Sequence, residues 1–203
     1  MQLSGFAAGP YKTNTYVLSD GDSCVVVDPG MHSHDRVMSL GLRVDAVLLT
    51  HGHIDHTRDA ATFGAPVYIH PDDEFMLAAG AGVSEQSRAL FDAENMERID
   101  DLRHLIDGQE LSFFGETLVV RHAPGHSPGS CLLVHSEFVF AGDVLFRGSI
   151  GRTDLPGSDP AAMDASLRGP VWSLPDELAV LPGHGPTTVM ATERASNPFL
   201  TAL

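Results

Sequence analysis

The sequence predicts an α/β fold of four layers, with two β-sheets face to face and helices covering both outer faces. Two observations point to it. Several strand-like runs are continuous Val/Leu stretches rather than alternations, as expected of strands covered by helices. The order is strands first, then strands alternating with helices, and it recurs in the second half of the chain, which suits two sheets sandwiched between helices.

Taken in order, strands are expected at Thr15–Leu18 and Cys24–Asp28, the latter closing on Asp28-Pro29-Gly30, and a helix over His34–Leu40. The strand Ala46–Thr50 runs into His51-Gly52 and a helix over Thr57–Thr62, followed by the strand Val67–His70 and a helix over Pro71–Ala79. Gly80–Arg98 is polar, rich in small residues and weakly periodic, which reads as an insertion or lid-like segment. Strands return at Thr117–Arg121, Cys131–His135, Glu137–Ala141 and Leu178–Leu181, with helices over Asp159–Leu167 and Thr187–Ala195. Gly, Pro, Asp or His turns close most of the strands. No fixed-period repeat or low-complexity tract is visible, and residues 1–203 read as one domain.

Composition narrows the function classes. Apolar residues make up 43% and charged residues 19%, as in an ordinary globular protein. Twelve basic residues against 27 acidic ones give a formal charge of −15 with no Lys/Arg cluster, so a nucleic-acid partner is not expected, because that needs a basic face against phosphates. The N-terminus shows no charged n-region or apolar h-region, and runs such as Ala46–Leu49 and Phe138–Ala141 are far short of a membrane span. Cys24 and Cys131 sit in strand-like runs and read as small buried hydrophobes rather than a disulfide framework. A cytoplasmic location is the expectation.

The chemistry is concentrated in Thr50-His51-Gly52-His53-Ile54-Asp55-His56, with His126, Asp143 and His184 in later segments. His51, Asp143 and His184 each follow a strand, where connecting loops converge on rigid roots. Seven N/O ligands are too many for one metal and about right for two that share a carboxylate, and two cations roughly 3.5–4 Å apart can activate a water and clamp the oxygens of a displacement. His51 and His53, two apart in an extended loop, can face one metal, while Asp55 and His56 at the start of the next helix point elsewhere. That loads one metal with His51, His53 and His126 and the other with Asp55, His56 and His184, and Asp143 is the natural bridge.

These residues, with Asn14-Thr15-Tyr16-Val17-Leu18, Val27-Asp28-Pro29-Gly30 and Pro182-Gly183-His184, resemble the metallo-β-lactamase superfamily and, within it, the short glyoxalase II-like hydrolases. The resemblance spans effectively the whole chain. It implies an αββα sandwich and two divalent metals, usually zinc, with iron or manganese as alternatives. Asp143 in place of a Cys is similar to thioesterase and phosphodiesterase members rather than to β-lactamases with a Cys ligand. Full-length glyoxalase II has a C-terminal helical domain and a Tyr just after the last His; here the text runs His184-Gly185-Pro186 and stops soon after, so weak selection for the thiol is expected. The family's loop after the Asp ligand carries a basic residue that contacts the thiol's carboxylate, and Gly151-Arg152 looks like its counterpart. Arg152 could equally pair with Asp154 to fix its own loop, and Arg147 reads as structural.

The expected reaction is hydrolysis of a small-molecule 2-hydroxyacyl-thiol thioester by metal-bound hydroxide, with Asp55 orienting the hydroxide as well as binding metal. Alternatives are a single-iron persulfide dioxygenase using two His and Asp143, then a lactonase or an RNA-processing nuclease, the last disfavoured by charge. A structural metal protein would need the same ligands without an open coordination position. Oligomeric state is not legible. Asp28 is read either as a brace for a ligand His or as a plain turn residue. His32, His34, His70, His104, His122 and His135 lack partners at ligand spacing and read as structural or solvated. Ser127 and Ser130 lack a spare His/Asp pair to activate them as nucleophiles.

Overall fold

A computed structural model describes residues 1–78, 81 and 84–203. The first sheet is built from β1 (Gln2–Ala8), β2 (Thr13–Asp20), β3 (Ser23–Val27), β4 (Arg43–Leu48), β5 (Val67–Ile69) and β6 (Leu102–His104), in that spatial order. β1, β2 and β3 pair antiparallel through tight turns, whereas β3 to β6 pair in parallel. Parallel neighbours need crossovers. These are supplied by α1 (His34–Met38), by α2 (Ile54–Thr57) with a 3-10 turn at Ala61–Phe63, and by a 3-10 segment at Pro71–Leu77 followed by α3 (Glu85–Leu90).

The second sheet repeats the scheme. β7 (Glu110–Phe113), β8 (Glu116–His122), β9 (Cys131–Val134) and β10 (Phe138–Gly142) form an antiparallel meander. A small hairpin of β11 (Leu145–Phe146) and β12 (Ser149–Ile150) and the helix α4 (Pro160–Ser166) then lead to β13 (Ala179–Pro182), parallel to β10. β14 (Thr188–Val189) closes that edge, and α5 (Met190–Ser196) and α6 (Pro198–Thr201) follow.

The continuous apolar runs are explained by burial on both faces. In β3, Val25 and Val27 point into the core between the sheets, while Cys24 and Val26 pack outward against Val37 of α1. In β10, Phe138 and Phe140 point inward and Val139 and Ala141 outward, toward Met163 of α4 and Met190 of α5. A period of two with both sides apolar reads in sequence as an unbroken run. Both cysteines are free and buried.

Several local expectations are corrected. The helix expected at Thr57–Thr62 starts earlier, at Ile54, and ends at Thr57 before a 3-10 turn. Pro71–Leu77 is 3-10 rather than α-helical, with His70 accepting from the Asp72 N–H at its start; Ala79 lies outside the described residues. The terminal helix begins at Met190, because Thr188–Val189 pairs with β13. β1, β6 and β7 escape sequence reading because they are edge strands, largely exposed and without a continuous apolar run. Within the Gly80–Arg98 segment, residues 80, 82 and 83 lie outside the described residues; α3 and a 3-10 turn at Ala93–Asn95 follow, with Phe91 and Ala93 buried against Ile54. Among the described residues no helix is long and apolar enough to cross a membrane.

Candidate metal centre

The C-terminal ends of β3, β4, β10 and β13 open onto one rim of the sandwich, where the two sheets are stitched together. The Cys131 N–H donates to the Thr50 carbonyl and the Asn14 N–H to Gly183 from one sheet to the other, while within the second sheet the Gly183 N–H donates to Gly142. Onto this rim the chain delivers Asp28 just past β3, His51 past β4, His126 from the β8–β9 loop, Asp143 past β10 and His184 past β13.

His51-Gly52-His53 runs extended before turning sharply into α2, whose first turn carries Asp55 and His56. The change of backbone direction divides the motif as the sequence suggests. His51, His53 and His126 form one group and Asp55, His56 and His184 another, the ligand atoms within each lying within 4.8 Å of one another. Asp143 stands between the groups. Its Oδ2 is 3.4 Å from His126 Nε2 and 3.5 Å from His184 Nε2, and its Oδ1 is 3.4 Å from His56 Nε2.

Neighbouring acceptors decide which ring nitrogen of three histidines keeps a lone pair. His126 Nδ1 faces the Arg152 carbonyl at 2.9 Å, and a carbonyl only accepts, so Nδ1 carries the hydrogen and Nε2 points inward bare. His56 Nδ1 lies 3.0 Å from Asp28 Oδ2, which fixes the same tautomer. Thr50 donates its hydroxyl to Asp28 Oδ2 and therefore accepts from His51 Nδ1 at 3.1 Å. Among the described residues His51 Nε2 and Asp143 Oδ1 are buried with no hydrogen-bond partner. Buried polar atoms are otherwise almost always paired. Two orphans aimed into one cluster of imidazoles and carboxylates are what a pair of cations would satisfy.

The electrostatics agree. Burial, reinforced by the surrounding histidines, pushes His51 well below the ordinary imidazole range and His53 down to about 4. Burial would also lower His56 and His184, but Asp55, Asp143 and Asp28 raise His56 well above its usual value, and the hydrogen bond to Asp55 with the charge of Asp143 raises His184. Burial would raise Asp55 and Asp143, yet the opposing charge of His56, foremost among several, holds both below the usual carboxylate range. Without metal, protons on His56 and His184 occupy the electrostatic role that cations would take.

Asp28 is a brace. One of its oxygens accepts from the Thr50 N–H at 2.8 Å and the other from the Thr50 hydroxyl at 2.7 Å and from His56, at a backbone φ of +50°. Close approach also demands glycine at positions 183 and 151, beside Asp143. A Cβ on Gly183 would collide with Asp143 Oδ1 and lie 2.6 Å from His56 Cε1, and one on Gly151 would collide with the Asp143 carbonyl.

The Arg152 guanidinium is exposed and holds Asp154 with two hydrogen bonds, at 2.8 and 3.1 Å, while its carbonyl orients His126. Arg147 is exposed at the tip of the β11–β12 hairpin. Ser127 and Ser130 bond to each other and, through Ser127, to Asp73. His70, Asp72 and His122 also come together, but the two rings stack face to face at 4.0 Å and 5°, so their in-plane lone pairs run parallel rather than converging on a shared ion. His122 Nε2 donates to the Pro128 carbonyl, His104 pairs with Glu74, and His135 with Glu116. Sequence reading missed Thr13, whose hydroxyl donates to Asp55 Oδ2 at 2.8 Å, and Asp73, whose partners lie 21 to 56 residues away. Neither carries a local sequence signal, because their partners are distant in the chain.

Comparison with known proteins agrees with the geometry. The family model described as the metallo-beta-lactamase superfamily matches residues 8–184. YqgX of Bacillus subtilis (strain 168), named a probable metallo-hydrolase, is 37% identical over 98% of both chains. The hydroxyacylglutathione hydrolase GloC of Haemophilus influenzae (strain ATCC 51907 / DSM 11121 / KW20 / Rd) is 32% identical over 91% of this chain and 90% of its own. Among solved structures, the B3 metallo-beta-lactamase BLEG-1 superposes with a TM-score of 0.86 at 36% identity, covering 98% of this chain and all of that one. TTHA1623 in a di-iron-bound form does so with a TM-score of 0.82 at 38% identity, covering 97% of this chain and all of that one. ETHE1 from Myxococcus xanthus gives 0.78 at 25% identity, covering 98% and 84%. A rim of paired His/Asp clusters on a four-layer sandwich, matched over nearly the whole chain, makes this protein a metal-dependent hydrolase belonging to the metallo-β-lactamase superfamily.

Proposed function

We propose that this chain is a binuclear thioesterase of glyoxalase II type, acting on a small 2-hydroxyacyl-thiol thioester. The observation that carries the reading is the second triad. Asp55, His56 and His184 lie within 4.8 Å of one another, as do His51, His53 and His126, and Asp143 is near members of both groups, so the chain offers ligands for two metals rather than one. We assign His51 Nε2, His53 Nδ1 and His126 Nε2 to one metal, Asp55, His56 Nε2 and His184 Nε2 to the other, and Asp143 as the bridge. The relative named hydroxyacylglutathione hydrolase and the di-iron neighbour support this reading.

Two divalent cations, with zinc the first candidate and iron or manganese the alternatives, would supply a water of lowered pKa and positive charge for a developing oxyanion. The chain's own residues do the rest. Thr13 holds Asp55 Oδ2, so Oδ1, which has no protein hydrogen bond among the described residues, is free to orient the attacking water and take its proton. The departing thiol has an ordinary pKa of about 8.5, so the site needs no strong general acid on the leaving side. Arg152 is the proposed contact for a substrate carboxylate, which must then compete with Asp154. Arg152→Ala should raise KM for carboxylate-bearing thioesters and leave kcat nearly intact. The location proposed is cytoplasmic, and the net charge of −15 argues against a nucleic-acid partner.

The deciding experiment pairs metal content of the purified protein with activity on a thioester panel. Two metal equivalents with thioester hydrolysis support the proposal. One iron with oxygen consumption would favour the second reading, a persulfide dioxygenase, with which the likeness to ETHE1 is compatible.

A further inference from the structure

We infer that Asp73 is a positioning residue for the first metal triad and not for the second, so that occupancy of the first site can be lost while the second is kept, even though Thr50 and Asp28 link His51 to His56; this rests on the two-triad reading above. Asp73 lies on the 3-10 segment after β5 and is fully buried. Its Oδ2 accepts from the Gly52 N–H at 2.8 Å and the Ser127 hydroxyl at 2.6 Å, and its Oδ1 from the Gly129 N–H at 2.6 Å. Among the described residues no cation lies within ion-pair distance of it.

The partners explain the role. Gly52 sits between His51 and His53, and Ser127 directly follows His126, so one carboxylate ties together the two loops that carry all three members of the first triad. The packing leaves no slack, since a Cβ on Gly52 would lie 2.8 Å from the Asp73 carbonyl and one on Gly129 2.7 Å from Asp73 Cγ. The closeness of His53 Nδ1 and His126 Nε2, 2.9 Å apart, depends on these loops staying in register. The second triad is held otherwise: Thr13 grips Asp55, Asp28 grips His56, and Asn14 Nδ2 donates to the carbonyls of Pro182 and Gly185 on either side of His184.

The test is zinc stoichiometry after reconstitution and dialysis, with far-UV circular dichroism to verify folding. Wild type should hold two equivalents and Asp73→Asn one. Adding His53→Ala to Asp73→Asn should change nothing further, whereas adding His56→Ala should bring the content close to zero. Asp73→Asn retaining two equivalents, losing both, or keeping one that depends on His53 rather than His56 would overturn the inference. Failure of the underlying reading looks different: wild type itself would hold a single equivalent, or His53→Ala and His56→Ala would each leave the content unchanged. Should Asp73→Asn not fold, Ser127→Ala decides. It should weaken one equivalent about 10–100-fold, as removal of groups supporting metal ligands usually does, and spare the other; equal weakening of both, or of neither, would refute the uncoupling.

Discussion

Replacing Asp28 by Asn is a sharp test of the orientation argument, because shape and backbone preference are conserved and only hydrogen-bond polarity changes. Asp28 is 2% exposed and adopts φ +50°, a region that Asn also tolerates, so strain is not introduced. The carboxylate accepts three hydrogens: one oxygen takes the Thr50 N–H, and the other takes the Thr50 hydroxyl and His56 Nδ1–H. An amide offers only one accepting oxygen. If it faces His56, the amide NH₂ opposes the Thr50 N–H; if it faces Thr50 N–H, the NH₂ opposes His56 and drives its hydrogen onto Nε2, the atom that would bind metal. The first orientation leaves a buried donor opposite a donor, which costs about 1–3 kcal/mol, and the second surrenders the tautomer whose Nε2 would bind metal. The metal-free variant should lose up to about that much stability in urea denaturation. Zinc affinity, measured by competition with a chromophoric chelator, should fall about 10–100-fold, or about 1.4–2.7 kcal/mol. Zinc affinity unchanged from wild type would refute the claim that Asp28 fixes the His56 tautomer.

Asp143→Ala should lose at least one metal and nearly all hydrolysis, by metal analysis and turnover, because the bridge between the two triads is removed. His122→Ala should keep its metal, since that ring donates to Pro128 and stacks on His70; loss of metal there with retention in His126→Ala would reverse the choice of third ligand. Gly183→Ala should abolish metal binding in a protein that still folds, because the new methyl displaces the Asp143 carboxylate and crowds His56. The metal-free protein should be most stable in urea near the ordinary imidazole pKa of about 6.5. Below it, His51 and His53 are protonated on unfolding but held neutral by burial, so stability falls as pH drops toward the His53 value of about 4. Above it, His56 and His184, whose folded pKa values are raised, contribute stability that is lost as pH rises through those values. A metal-free urea midpoint that climbs steadily from neutrality to pH 4 would contradict this.

The layered α/β plan and the grouping of the histidine and aspartate side chains are both legible in the sequence. Strands buried on both faces leave unbroken Val/Leu runs such as Cys24-Val25-Val26-Val27, and Thr50–His56 packs four metal-capable side chains into one turn of chain direction. What it could not determine were the edges and the partners. β1, β6 and β7 are recruited by hydrogen bonding to neighbours rather than by their own apolar pattern, and local propensity carries no record of such pairing. Asp28 was open between turn and brace until β3 and β4 lay side by side with Val27 opposite Leu48 and brought it against Thr50 and His56. Arg152 could be placed on the loop after Asp143, but only the folded loop decides that its guanidinium turns to Asp154 and its carbonyl to His126. Asp73 is the extreme case: an acid in a polar helical-looking stretch becomes the junction of two ligand loops because the sandwich brings residues 52, 73 and 127 to one rim. Which side chains can supply chemistry is written in their types and spacing, whereas which of them hold others in place depends on contacts between distant segments, and those exist only once the two sheets have packed.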